Sequence, residues 1–205
     1  MNRHKRTRQR GNTMIEFAIA MTFLIPLMVG SFSLGLNLMR SIQVIQVCRD
    51  AGSMYSRSVD FTLTGNQDTL VKMASGLGMT RTGGTGVVIL SKVAFVSDAD
   101  CTAAGLTGSN CTNRGKYVFL QRIYIGNQSL KPSKFGTPSE TGIDQTTRKI
   151  KEIYKDSSAQ APNFGNVMTL TSVQDVVYLI ETDFQGVAWN LGNNVGNEIY
   201  QRAVF

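Results

Sequence analysis

The chain has 205 residues, 42% hydrophobic and 17% charged, a balance that excludes an intrinsically disordered protein and suits one ordinary domain or a membrane anchor plus a compact domain. The formal charge of +7 is concentrated at one end: Arg3, Lys5, Arg6, Arg8 and Arg10 precede Gly11, so the rest carries 16 basic residues against 14 acidic ones. A body that near to neutrality gives no ground for nucleic-acid binding. The only histidine, His4, lies in the basic decapeptide, so the remainder lacks the commonest general base and metal ligand.

From Phe17 to Leu36 the residues FAIAMTFLIPLMVGSFSLGL carry no charge. Twenty residues at 1.5 Å rise span about 30 Å, the thickness of a bilayer's hydrocarbon core. The competing reading is a cleaved secretory signal, with Ser31-Phe32-Ser33 as the cut. The apolar core of such a signal runs roughly 7–15 residues, shorter than this run. The flanking basic residues predict a single pass through a bacterial inner membrane, with the N-terminus cytoplasmic and the C-terminal domain periplasmic.

Glu16 stands one residue ahead of the apolar run. A carboxylate in the hydrocarbon costs roughly 2–3 kcal/mol on insertion scales and calls for a partner. Two readings are open. Glu16 sits at headgroup level and favours the helix start through the dipole. Alternatively, a cut after Gly11 frees the amine of Asn12, which lies about 6 Å along the helix from Glu16, and a neighbouring subunit's amine pairs with the carboxylate.

Residues 10–20, RGNTMIEFAIA, resemble the processing motif of type IV pilin-like proteins: glycine at the cut, glutamate at mature position five, then an apolar helix. The Glu16-Phe17 pair resembles the Tad, or Flp-type, branch. The stretch RGNTMIEFAIAMTFLIPLMVGSFSLG, with VCRDAGSMYSR at 47–57, is similar to the TadE-like pseudopilin family, a resemblance covering about residues 8–60. It implies a leader over 1–11, cleavage between Gly11 and Asn12 by a prepilin peptidase, and assembly through Glu16 and Phe17. The product would be a minor pilin or pseudopilin of a Tad-type pilus or secretion system. Its partners would be other pilin subunits, Tad inner-membrane assembly proteins and the bilayer, with possible export to the cell surface in a pilus. The alternative is a single-pass membrane-tethered binding or adhesion module of the bacterial envelope.

Beyond the bilayer, Leu38, Ile42, Ile45, Cys48 or Val47, Ala51 and Met54 or Tyr55 recur at helical spacing. They predict one long helix over 12–59, kinked at Pro26. Residues 60–205 read as a mixed domain. A weak helix is predicted over Asp68–Leu77, with Leu70, Met73, Ala74 and Leu77 as its apolar positions. TRTGGTG at 80–86 reads as a turn; it lacks the GK[ST] ending of a phosphate loop.

VVILSKVAFV at 87–96 and YVFLQRIYI at 117–125 read as strands. Between them lie Cys101 and Cys111. An oxidising periplasm favours a disulfide, which would contribute about 2–3 kcal/mol; a metal pair would need two more ligands, and only Cys48 remains to offer one. Cys48 itself reads either as a small buried apolar residue or as an intermolecular disulfide partner.

Residues 126–142 read as a loop with Pro132 and Pro138, and Ile143–Lys155 as a short basic helix with Ile150, Ile153 and Tyr154 on its apolar side. Strands are predicted over 173–184 and 199–205, separated by a Gly/Asn turn around Trp189. The class is α+β: a long transmembrane and amphipathic helix packed on a small antiparallel sheet, the pilin-like arrangement.

No catalytic constellation emerges. Glu140, Asp144, Glu152 and Asp156 read as solvated charges. Asp60, Asp68, Asp98 and Asp100 show no loop of alternating oxygen ligands for calcium. The chain reads as no enzyme, with no cofactor or metal. Trp189, Tyr200 and Phe205 are either core or adhesive.

Overall fold

The computed structural model describes residues 12–186 and 198–205. The first element, α1, runs over Asn12–Ser56. Its 45 residues make a rod of about 68 Å. The helix continues across Pro26. It ends three residues before the predicted boundary at 59, for a local reason. Ser58 turns to φ 67°, and Val59 N–H and Ser58 N–H donate to the carbonyls of Met54 and Tyr55 at 3.1 Å each. This is the paired capping of a Schellman motif, with serine in the left-handed position that usually takes glycine.

Four strands follow: β1 at Gly86–Val96, β2 at Lys116–Gly126, β3 at Val177–Gln185 and β4 at Glu198–Val204. They form one sheet in the order β2-β1-β3-β4, antiparallel throughout. The β1–β2 register shifts between Lys92 and Val93, where β2 passes over Leu120. An α+β fold with a long apolar helix and a small antiparallel sheet is therefore what these residues build.

The C-terminal part of α1 lies over β3 and β4. It buries Val44, Val47, Cys48, Ala51 and Tyr55 against Val88, Leu90, Ile123, Ile125, Ile180 and Phe184. This stripe corrects the predicted one. Leu38 and Ile42 are 64% and 49% exposed, because the sheet first meets the helix near residue 44. A second helix, α2 at Thr64–Met73, with a 3₁₀ turn at Ser75–Leu77, closes the same core through Leu70, Ala74 and Leu77. It starts four residues earlier than predicted, and Met73 is 40% exposed. The turn predicted over 80–86 forms as far as Thr85, with Thr80 N–H donating to the Gly83 carbonyl at 3.0 Å, and its last residue, Gly86, already belongs to β1.

The opposite sheet face is covered by the long 127–170 segment. Phe135, Ile143, Ile150, Ala161, Phe164 and Leu170 pack there on Val93, Phe119, Val177 and Leu179. The predicted helix over Ile143–Lys155 is absent. Asp144 instead caps a turn through Thr146 N–H and Thr147 N–H, Arg148 takes φ 55°, and Ile143 pairs with Ile150. The reason is the free edge of β2. Ile150 N–H donates to the Leu120 carbonyl at 2.9 Å, Arg122 N–H to the Arg148 carbonyl at 3.0 Å, and Ala161 N–H to the Tyr117 carbonyl at 2.8 Å. An exposed edge needs such partners, and their supply outweighs local helix propensity.

Between β1 and β2 lies a short helix, α3 at Asp98–Ala103. Ser97 and Asp100 form a reciprocal capping box at its start. Cys101, inside α3, is bonded to Cys111 with Cα atoms 6.0 Å apart. The pair packs on Val96 and Val118.

Candidate functional site

The segment that carries the sequence signal is the part of α1 that touches nothing else. Phe23, Leu27, Met28 and Leu34 are each about 70% exposed, and no charge interrupts the helix between Glu16 and Arg40. This helix is long and apolar enough to cross a membrane. Exposed apolar surface on that scale marks a membrane or a packing partner. The junction to the folded domain is held by Arg40, whose guanidinium donates to the Gln185 carbonyl at 3.1 Å, at the end of β3.

Asn12 is the first described residue of α1, and Gly11 lies outside the described residues. Glu16 is the fifth described residue of α1. Glu16 and Phe17 are both exposed, and Glu16 forms no ion pair among the described residues.

The buried charges on the outer face of the sheet are engaged within the domain. Arg122 and Glu181 are paired at 3.6 Å on the sheet face away from α1, at 0% and 1% side-chain exposure. Glu181 also accepts from Lys134 N–H at 3.0 Å, from the Tyr200 hydroxyl at 2.9 Å and from the Ser133 hydroxyl. Arg122 donates to the Gly136 carbonyl at 2.7 Å and lies 4.0 Å from the Phe119 ring centre. Burial, the largest influence on Arg122, pulls its pKa below the ordinary value. Closed from solvent, the pair pins the 133–136 loop to the sheet and offers no access to a substrate. Beside it, Asp183 is pushed up to about 7, first by burial and then by its hydrogen bond with Glu198. Glu198 is held down by that bond and by Lys131, whose ammonium it contacts.

The other acidic candidates lie apart. Asp100 accepts from Ser97 and Val173, Asp98 pairs with Arg114, Asp68 with Arg81, and Asp60 accepts from Thr62. Glu140 pairs with Arg148, Glu152 with Lys155, and Asp156 accepts from Ser158 N–H. No group of three or more acidic, histidine or cysteine side chains placed to hold a metal occurs among the described residues. Cys48 is 2% exposed, and burial, the largest cause, raises its thiol to about 11. It is a core residue, out of reach of a second chain. Tyr200 belongs to the Glu181 network, Phe205 packs against Gly52 of α1, and Trp189 lies outside the described residues.

Residue-level reading missed the Arg122–Glu181 pair, although a signal was present. Each charge sits in the middle of an apolar strand, YVFLQRIYI and VVYLIETDF, where an unpaired charge would be prohibitively costly. No family model matches the chain, and neither a curated protein nor a solved structure matches it.

Proposed function

We propose that this chain is a minor pilin or pseudopilin of a Tad-type pilus or secretion system, processed after Gly11 and incorporated through α1. The observation that carries the reading is the position of Glu16: a carboxylate without a described ion-pair partner, at the head of an apolar helix, four residues past a candidate processing site. A carboxylate bordering hydrocarbon needs a counter-charge. The chain's own described residues supply none, and the free amine of Asn12 in a neighbouring subunit would.

In this account the leader stays cytoplasmic and sets topology, the helix spans the inner membrane, and the sheet domain faces the periplasm. The peptidase, the other pilins and the assembly platform act on the N-terminal segment. Arg40 and the α1–sheet core keep the domain at a fixed place on the rod, as a repeating packing arrangement requires. The test is Glu16→Ala in cells that assemble the filament. The account expects normal membrane insertion and normal cleavage, with incorporation strongly reduced. Normal incorporation would overturn the pairing role of Glu16.

A further inference from the structure

Gln121 of β2 sits between two lysines: Lys92 is its partner across β1, and Lys149 its partner on the other side. Directly opposed residues project from the same face of a sheet. The row Lys92–Gln121–Lys149 therefore brings two ammonium groups together on the α1 side, where α1 ends. Lys92 Nζ stands 5.4 Å from the Tyr55 ring centre and 5.3 Å from that of Tyr178. Both rings favour a cation. Burial, and after it the charge of Lys149, nonetheless pulls the Lys92 pKa below its ordinary value.

Neither lysine has an ion-pair partner among the described residues. Asp60, the one acid that supports Lys92, has Oδ1 occupied by Thr62 N–H and the Thr62 hydroxyl at 2.9 and 2.7 Å. Gln121 is committed at both ends: it accepts from the Tyr55 hydroxyl at 2.9 Å and donates to the Thr147 carbonyl at 2.7 Å. It spaces the lysines without neutralising them. Above the row opens a cleft of about 490 Å³. That volume lies within the range of small-ligand sites, about 300–1,000 Å³. Val59 and Leu63 give it an apolar side, and Ser58 and Thr146 bring hydroxyl groups to its rim.

We propose that this cleft binds a monocarboxylate ligand of about monosaccharide size, its carboxylate held between the Lys92 and Lys149 ammonium groups. Two lysines against one aspartate leave a single positive charge, which a carboxylate matches and a phosphate dianion exceeds. The apolar side takes a sugar-ring face, and the hydroxyls take polar substituents. The cleft lies at the end of α1 remote from the apolar segment, so the ligand comes from solution and not from the bilayer. The inference stands independently of the filament reading.

The test uses the full-length chain in detergent micelles, isotope-labelled at lysine, titrated with D-glucuronate at neutral pH and constant ionic strength. D-glucose and inorganic phosphate are titrated in parallel. The proposal expects saturable shifts of the Lys92 and Lys149 side-chain signals with glucuronate, none with glucose, and weaker binding of phosphate. Lys149 is exposed, so Lys149→Gln leaves the packing intact. It should weaken glucuronate at least about tenfold, whereas Lys116→Gln, on the exposed end of β2, should not. Absence of saturation, equal response to glucose, phosphate binding as tightly as glucuronate, or full affinity in Lys149→Gln would each overturn it.

Discussion

Arg122 and Glu181 hold opposite charges 3.6 Å apart in the middle of two strands, but they do not share the burden equally. Glu181 accepts three hydrogen bonds besides facing the guanidinium, from Ser133, Lys134 and Tyr200. Arg122 makes one side-chain hydrogen bond, to the Gly136 carbonyl. Removing Glu181 orphans a buried cation and three donors, whereas removing Arg122 leaves a carboxylate that is still hydrogen-bonded. Breaking a buried pair costs about 3–5 kcal/mol. Glu181→Leu should reach that range in chemical denaturation and exceed Arg122→Met, and it should free the 133–136 loop for proteolysis. Equal costs, or a larger cost for Arg122→Met, would contradict this assignment.

Gly86 lies opposite Phe184 in the β1–β3 register. A Cβ on Gly86 would stand 2.1 Å from Phe184 Cδ1, and Phe184 is 1% exposed with no room to swing away. Gly86→Ala should therefore cost about 1–3 kcal/mol, the usual range for overpacking. Pairing it with Phe184→Leu should make the two costs less than additive, which a double-mutant cycle measures. Strict additivity would show that the ring does not occupy the space the glycine leaves.

Asp183 links the β3–β4 edge to pH. Its carboxyl is pushed up to about 7 from an ordinary 3.8 by burial and by Glu198. Between those values the folded chain holds a proton that the unfolded chain has released, so stability falls as pH rises through this window. Glu198, held low, acts in the opposite sense below its ordinary 4.5. The Asp183 effect therefore stands alone from about pH 5 to 7. Denaturation midpoints should decline across that interval in the native chain and stay level in Asp183→Asn. A native midpoint that rises there would contradict the account.

The elements were readable where the signal is local. The β-branched runs at 87–96 and 117–125 place β1 and β2 to within one residue, and the charge-free run places the apolar part of α1. What the residues hide is where one element meets another. The apolar spacing of α1 continues smoothly through Leu38 and Ile42, and nothing local says that the sheet begins near Val44. Ile143–Lys155 has helical spacing too, yet the unpaired edge of β2 draws it into an extended pairing. The capping box of α3 was legible as Ser97 followed three residues later by Asp100, in the stretch between the two predicted strands for which no helix was expected. At the candidate site the spacing of Gly11, Asn12, Glu16 and Phe17 is wholly a sequence feature. The structure adds that Glu16 is exposed and has no described ion-pair partner. The lysine row of the cleft depends on cross-strand register, which no single stretch of sequence discloses.

The central claim concerns the bond after Gly11, and sequencing the mature N-terminus tests it most directly. The full chain is produced together with a prepilin peptidase of a Tad system, and the N-terminal residues of the membrane-bound product are read. The account predicts a start at Asn12 that is lost in Gly11→Ala. An uncut chain in the presence of the cognate peptidase, or a start near Leu34 as a secretory signal would give, would contradict it.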